Sequence, residues 1–178
     1  YLQERFGESA LSKRIFAVTD PENGNLLQLA KANQYETFPI PKNIGGRYSV
    51  FTAVGLLPLA LAGIPIGQLV EGAVRAEQDL ASNKNNSLET NPALCYAGIR
   101  NILYKNQFKV EALCFWTPKL RSLAGWWTQL FGESDGKQNT GIFPTLAQFS
   151  TDLHSLGQYF QEGERHLFAT HIKILNEY

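Results

Sequence analysis

Methionine is absent: none occurs among the 178 residues, the first position included. A globular sequence of this length ordinarily carries a few, so the chain is expected to be an internal piece of a longer polypeptide. An excess of charge of either sign is also missing, since 16 Lys and Arg balance 16 Asp and Glu. A neutral chain has no overall field to draw it onto nucleic acid or an anionic membrane. Long apolar runs are missing too. The longest, Val54 to Ile66, is interrupted by Pro58, Gly63 and Pro65, too short to span a bilayer, and reads as a buried helix followed by a turn. The opening residues Tyr1-Leu2-Gln3-Glu4-Arg5 are polar, unlike a secretory signal, and read as the end of a helix. Only two cysteines are present, Cys95 and Cys114, each among apolar neighbours. They read as buried structural thiols, in keeping with a reducing, cytoplasmic setting. No HxH, HExxH or CxxC spacing offers a metal site. No glycine fingerprint joins a strand end to a helix start. The expectation is therefore no metal, no cofactor, no nucleic acid and no membrane.

What is present is a globular composition, 44% apolar with 12% aromatic residues. Arg14 to Asp20 reads as a buried strand that turns at Asp20-Pro21-Glu22-Asn23-Gly24. Asn25 to Asn33 has the leucine and alanine spacing of a short amphipathic helix, and Tyr35 to Ile40 reads as a second strand stopped by Pro41. Strand, helix and strand at this spacing make a βαβ unit. A largely apolar helix is expected over Ser49 to Ala62 and an amphipathic one over Ile66 to Ser82. The polar stretch Asn83-Lys84-Asn85-Asn86-Ser87 is the candidate boundary between two lobes. Beyond it, Asn91-Pro92 opens a helix to about Lys105, Lys109 to Phe115 reads as a strand, and Pro118 opens a helix that Gly132 ends. Ser150-Thr151-Asp152 caps a further helix, and Leu167 to Ile174 reads as a strand. Alternating strands and helices on both sides of the polar stretch argue for α/β architecture with mainly parallel sheets.

Two clusters carry chemistry. Asn43-Ile44-Gly45-Gly46-Arg47-Tyr48-Ser49 sets a fixed guanidinium after paired glycines, which permit close backbone approach and unusual dihedrals. Gly132-Glu133-Ser134-Asp135-Gly136-Lys137 offers a carboxylate on a glycine-bounded turn just past a helix end. A cation that stabilises an oxyanion and a carboxylate that moves a proton suffice for enolisation. Taken singly, each residue has a plainer reading. An isolated arginine is ordinarily an ion-pair partner, and an acidic residue between Gly and Ser a solvated turn residue. Asp135 and Lys137 fit loop structure or ion pairing, the tryptophan pair fits the core, and His166 and His171 fit structural or surface roles.

Together these stretches resemble the phosphoglucose isomerase (glucose-6-phosphate isomerase) family, bacterial members above all. Gly45-Gly46-Arg47-Tyr48-Ser49-Val50 resembles its signature, Glu133-Ser134-Asp135-Gly136-Lys137 its loop with the catalytic glutamate, and Thr151-Asp152-Leu153-His154-Ser155-Leu156-Gly157-Gln158 the segment with its ring-opening histidine. The resemblance covers essentially the whole chain. It implies two three-layer, flavodoxin-like sugar isomerase (SIS) domains with parallel sheets, residues 1–82 closing the first with its connecting helices and 83–178 forming part of the second. It implies interconversion of glucose 6-phosphate and fructose 6-phosphate through a cis-enediol. Glu133 would shuttle the proton, His154 would open the ring, and Arg47 would hold developing negative charge. Gly46, Arg47 and Gln129 would contact the sugar phosphate. In the family the histidine reaches into the neighbouring subunit's site, so a dimer or larger homo-oligomer is implied. Family members are considerably longer, with a Ser/Thr-rich phosphate loop before the region matched here and a catalytic lysine after it, so the isolated piece is expected to be nearly inactive. A non-catalytic sugar-phosphate-binding module, an interaction-bearing fragment and another phosphosugar isomerase are the competing readings.

Overall fold

The apolar run that ends in Thr-Asp-Pro forms the first strand of a computed structural model that describes residues 1–81 and 87–175. The chain divides into two units, Tyr1–Ala76 and Glu77–Tyr178. The expected boundary, Asn83 to Ser87, lies outside the described residues except for Ser87.

In the first unit, α1 (Leu2–Phe6) and a 3₁₀ helix (Glu8–Lys13) precede β1 (Phe16–Thr19), α2 (Asn25–Ala32) and β2 (Glu36–Pro39). The two strands are parallel, with Phe16 opposite Glu36, and Leu27 and Ala30 of α2 are buried, so the expected βαβ unit is formed. The turn after β1 is closed by the Asp20 carboxylate, which accepts the backbone N–H groups of Glu22 and Asn23, each at 2.8 Å. Those bonds, Asn23 first, hold the Asp20 pKa below its ordinary value. The single helix expected over Ser49 to Ala62 is two elements: a 3₁₀ helix (Gly46–Phe51) and α3 (Ala53–Leu61). Thr52 separates them with extended backbone, φ −106° and ψ −177°. Its hydroxyl donates to Ser49 O at 2.7 Å and accepts from Val54 N at 3.2 Å, capping α3. The helix α4 (Ile66–Ala81) follows.

In the second unit, Asn91 caps α5 (Pro92–Lys105) by accepting from Ala93 N and Leu94 N, with Pro92 in the first turn, as its sequence implies. Then come β3 (Val110–Phe115), a 3₁₀ turn (Pro118–Leu120), α6 (Arg121–Asp135), β4 (Phe143–Gln148), α7 (Thr151–Glu162) and β5 (Leu167–Ile172). The sheet order is β4-β3-β5, all parallel, with Val110 opposite both Phe143 and Leu167. Central β3 is buried on both faces, which explains its near-continuous apolar sequence. Leu113 and Phe115 pack with Ala124 and Trp127 of α6, while Ala112 and Cys114 pack with Ala147, Phe149 and, from α7, Phe160. This is a helix–sheet–helix sandwich, the three-layer α/β class expected. Burial pushes the Cys114 thiol up to about 11; Cys95, expected to be buried as well, is only half-buried.

Strand β4 (Phe143–Gln148) has no counterpart in the sequence reading, and it contains Pro144. It lies at a sheet edge, where a missing N–H is tolerated. The α7 N-terminus also differs from expectation: Ser150 makes no side-chain cap bond. The Asp152 carboxylate instead accepts Gln148 N at 2.7 Å, tying the helix start to the end of β4. Among the described residues, no helix is long and apolar enough to cross a membrane, and no group of three or more His, Cys, Asp or Glu could hold a metal.

Candidate active site

Arg47 belongs to the first unit. It is half-buried, with its guanidinium carbon 5.0 Å from the centre of the Tyr48 ring. The paired glycines before it do not adopt unusual dihedrals, contrary to expectation. Gly45 has φ −70°, an ordinary extended value, and Gly46 lies outside the left-handed region. What Gly46 does provide is space, since a Cβ there would meet nothing within 4 Å. Buried Ser49 donates to Gly46 O at 2.6 Å and holds the turn.

In the second unit, Glu133 is not on a loop. Helix α6 runs through Gly132 and ends at Asp135, so Glu133 sits in its last turn, exposed. The helix stops at Gly136, which by sequence alone reads as the far side of a turn. Gly132 lies inside α6 near β4, where an added Cβ would make an ordinary 3.6 Å contact with Pro144. One turn back, Gln129 Nε2 donates to Glu133 Oε1 at 3.0 Å, so the structure joins these two expected site residues on one helix face.

Below Glu133 lies a charge cluster that sequence reasoning missed. Glu111, the second residue of β3, is fully buried. Its carboxylate accepts from Tyr96 Oη at 2.5 Å, Arg100 Nε at 2.6 Å and Thr170 Oγ1 at 2.7 Å. Arg100, on α5, also donates from Nη1 to Asp135 Oδ2 at 2.9 Å. Its guanidinium carbon lies 4.0 Å from the Phe131 ring centre, a cation–π contact over the group whose buried Nη2 has no hydrogen-bond partner. Burial works against the Arg100 cation, but Glu111 and then Asp135 outweigh it and raise its pKa. Burial, followed by the Glu111 carboxylate, drives the Tyr96 phenol well above its ordinary range. The available signal was one acidic residue inside an otherwise apolar strand. Asp135 is an ion-pair partner, as its plainer reading held.

His154 is exposed in the first turn of α7. Topology sets its distance from Glu133. Helix α6 leaves the carboxyl end of β3, runs back for 15 residues and delivers the chain to the amino end of β4. Helix α7 starts at the carboxyl end of β4, six residues on. Glu133 therefore stands at the amino edge of the sheet and His154 at its carboxyl edge, about 20 Å apart at strand and helix rise. Of the other histidines, His171 packs its ring 5.8 Å from Phe149, and His166 lies 3.6 Å from Glu164 and beside Tyr159.

Comparison with known proteins agrees with this architecture. A glucose-6-phosphate isomerase of Staphylococcus saprophyticus is 52% identical over 175 residues, 98% of this chain and 39% of the relative. That of Staphylococcus aureus (strain Newman) is 53% identical over 173 residues, 97% of this chain and 38% of the relative. The chain thus spans well under half the length of these relatives. A crystal structure of a hypothetical protein from Thermus thermophilus superposes with TM-score 0.84 at 30% identity, over 96% of this chain and 40% of that one. A glucose-6-phosphate isomerase of Chlamydia trachomatis shares the fold at TM-score 0.72 and 19% identity, over 98% of this chain and 36% of that one. The family model described as phosphoglucose isomerase matches residues 1–169, almost every element laid out above. On that match and those identities, the chain belongs to the phosphoglucose isomerase family.

Proposed function

We propose that the protein carrying this sequence interconverts glucose 6-phosphate and fructose 6-phosphate by proton transfer through a cis-enediol, in the cytoplasm, without a metal or cofactor. His154 moves a proton to open the pyranose ring. Glu133 removes the proton from C2 of the open-chain aldose and returns it to C1, and in the reverse direction from C1 to C2. The Gln129 amide, 3.0 Å away, orients the carboxylate. Arg47, always protonated, balances the negative charge that develops on the substrate oxygens, and Gly46 leaves room for the sugar phosphate. Residues 1–82 then close one sugar isomerase domain and 83–178 form part of the second.

The observation that supports this reading is topological: motif residue Glu133 lies at the end of α6, before β4, and motif residue His154 at the start of α7, after β4. Reacting groups must lie within hydrogen-bond reach of one substrate, and a separation of about 20 Å, the length of β4, argues against both acting on it from one subunit. A symmetric pair resolves it, each site taking Glu133 from one copy and His154 from the other.

The test uses the full-length gene product. Glu133→Gln and His154→Gln are each expected to abolish turnover. Unfolding, mixing in equal amounts and refolding the two variants makes half the dimers mixed, each with one intact site. Roughly a quarter of parental activity should return. Activity in Glu133→Gln alone, or no recovery on mixing, overturns the shared-site isomerase.

A further inference from the structure

We infer that Asp135 is a positioning residue for the proton-transferring carboxylate, and that Arg100 and Glu111 form its buried anchor. The inference rests on the role proposed for Glu133.

Glu133 is exposed and lies in the final turn of a helix, where ends fray, and Gln129, which donates to it, lies on that same helix. Proton abstraction from a carbon demands a fixed carboxylate, and displacement by about 1 Å can cost on the order of a hundredfold in rate. Something must hold this turn, and three features converge on Asp135, two residues beyond Glu133. Its carboxylate is gripped by Arg100 Nη1 at 2.9 Å, and Arg100 is itself fixed by the fully buried Glu111 on the central strand. Its carbonyl accepts Lys137 N at 2.8 Å, turning the chain back at once. Gly141 then folds onto the same carbonyl at φ +120°, where an added Cβ would stand 2.6 Å from Asp135 O. The returning loop is docked on α5 as well, since Gly141 N donates to Tyr104 Oη at 3.4 Å. The end of α6 is thereby tied through a charged chain to the middle of the sheet.

A second point separates positioning from simple stabilisation. A buried ion pair returns little stability relative to well-packed apolar residues, and its best-attested use is to fix one arrangement. Here the arrangement fixed is the turn that carries Glu133.

The experiment compares Asp135→Ala, Asp135→Asn and Glu133→Gln in the full-length gene product, with folding checked by circular dichroism. The Asp135 side chain is one-third exposed, so truncation is not expected to unfold the domain. Asp135→Ala should lower kcat about 10- to 100-fold and change KM by less than about twofold. It should also enlarge the isotope effect with glucose 6-phosphate deuterated at C2. Asp135→Asn, which keeps an acceptor for Arg100, should restore part of the loss. If Asp135→Ala does not fold, Asp135→Asn decides by showing a smaller kcat loss with the same enlarged isotope effect. Inactive Glu133→Gln beside Asp135 variants with parental kcat and isotope effect overturns the positioning role alone. Active Glu133→Gln overturns the isomerase assignment and this inference with it.

Discussion

Replacing Glu111 with leucine should cost this chain more than any surface change, and the structure fixes why. The carboxylate is fully buried and accepts three hydrogen bonds, from Tyr96, Arg100 and Thr170. Removing it leaves the Arg100 cation 9% exposed with only Asp135 opposite it. Breaking one side of a buried ion pair costs about 3–5 kcal/mol. The stranded Tyr96 and Thr170 hydroxyls add about 1 kcal/mol each where they find no new partner. The expected loss is thus roughly 5 kcal/mol, partly relieved by the added leucine packing. Arg100→Met should cost somewhat less, about 3–4 kcal/mol, because Glu111 keeps the Tyr96 and Thr170 hydroxyl donors. The double variant should cost far less than the two losses combined, since neither charge then remains buried. A coupling of several kcal/mol is expected. The assay is urea unfolding followed by tryptophan emission. Trp116, Trp126 and Trp127 all lie in the second unit, so the signal reports the domain perturbed. At about 2 kcal/mol per molar urea, Glu111→Leu should move the midpoint by more than about 2 M. A loss below about 1 kcal/mol, or single losses that simply add, would refute the account of this cluster as a mutually dependent charged core.

Two further expectations concern other parts of the chain. Cys114 is fully buried with its thiol pushed up to about 11. A folded pKa above the unfolded value of 9.0 means that stability is intact below about pH 9 and falls as pH rises towards 11, by about 2 kcal/mol at pH 11. Thermal melts between pH 8 and 11 should slope more gently in Cys114→Ala, and an unchanged slope counts against the assignment. Gly55→Ala should destabilise the first unit by about 1–3 kcal/mol, because the new Cβ would stand 2.2 Å from Val50 O. Gly46→Ala, with nothing within 4 Å, should stay within about 0.5 kcal/mol. Limited proteolysis around α3 compares the two, and equal cleavage rates would contradict the contrast.

The alternation of strands and helices was legible because the buried parallel strands leave runs such as Ala112-Leu113-Cys114-Phe115 that no amphipathic helix would need. Helix starts were legible where a cap is local, as at Asn91-Pro92. Elsewhere the local signal misled or was silent. Strand β4, which the sequence reading did not assign, carries Pro144 at a sheet edge, where the missing N–H is tolerated. Gly132 read as a helix stop, yet α6 runs on through it to Asp135 and stops at Gly136. The Arg100–Glu111–Asp135 chain was invisible to any local reading. Its members lie on a helix, a strand and a second helix, 11 and 35 residues apart, with no periodicity linking them. The residues of the candidate site were legible only through their motifs. Glu133 is an ordinary exposed acid by burial, and His154 an ordinary exposed imidazole.

That ordinariness bears on how such a site works. In open α/β sheets, ligands generally bind beyond the carboxyl ends of the strands, and His154 stands at that edge. Glu133 stands at the other, beside the one buried charge cluster in the described sheet. A carboxylate at the amino edge gains nothing from the usual crevice and must be held by other means. The grip of Arg100 on Asp135 is such a means, available in one subunit before any substrate arrives. If the proposed shared site holds, catalysis requires association of two copies. Loosening the α6 anchor and separating the subunits should therefore act differently. The first slows proton transfer at every protein concentration, whereas the second makes activity per subunit fall on dilution.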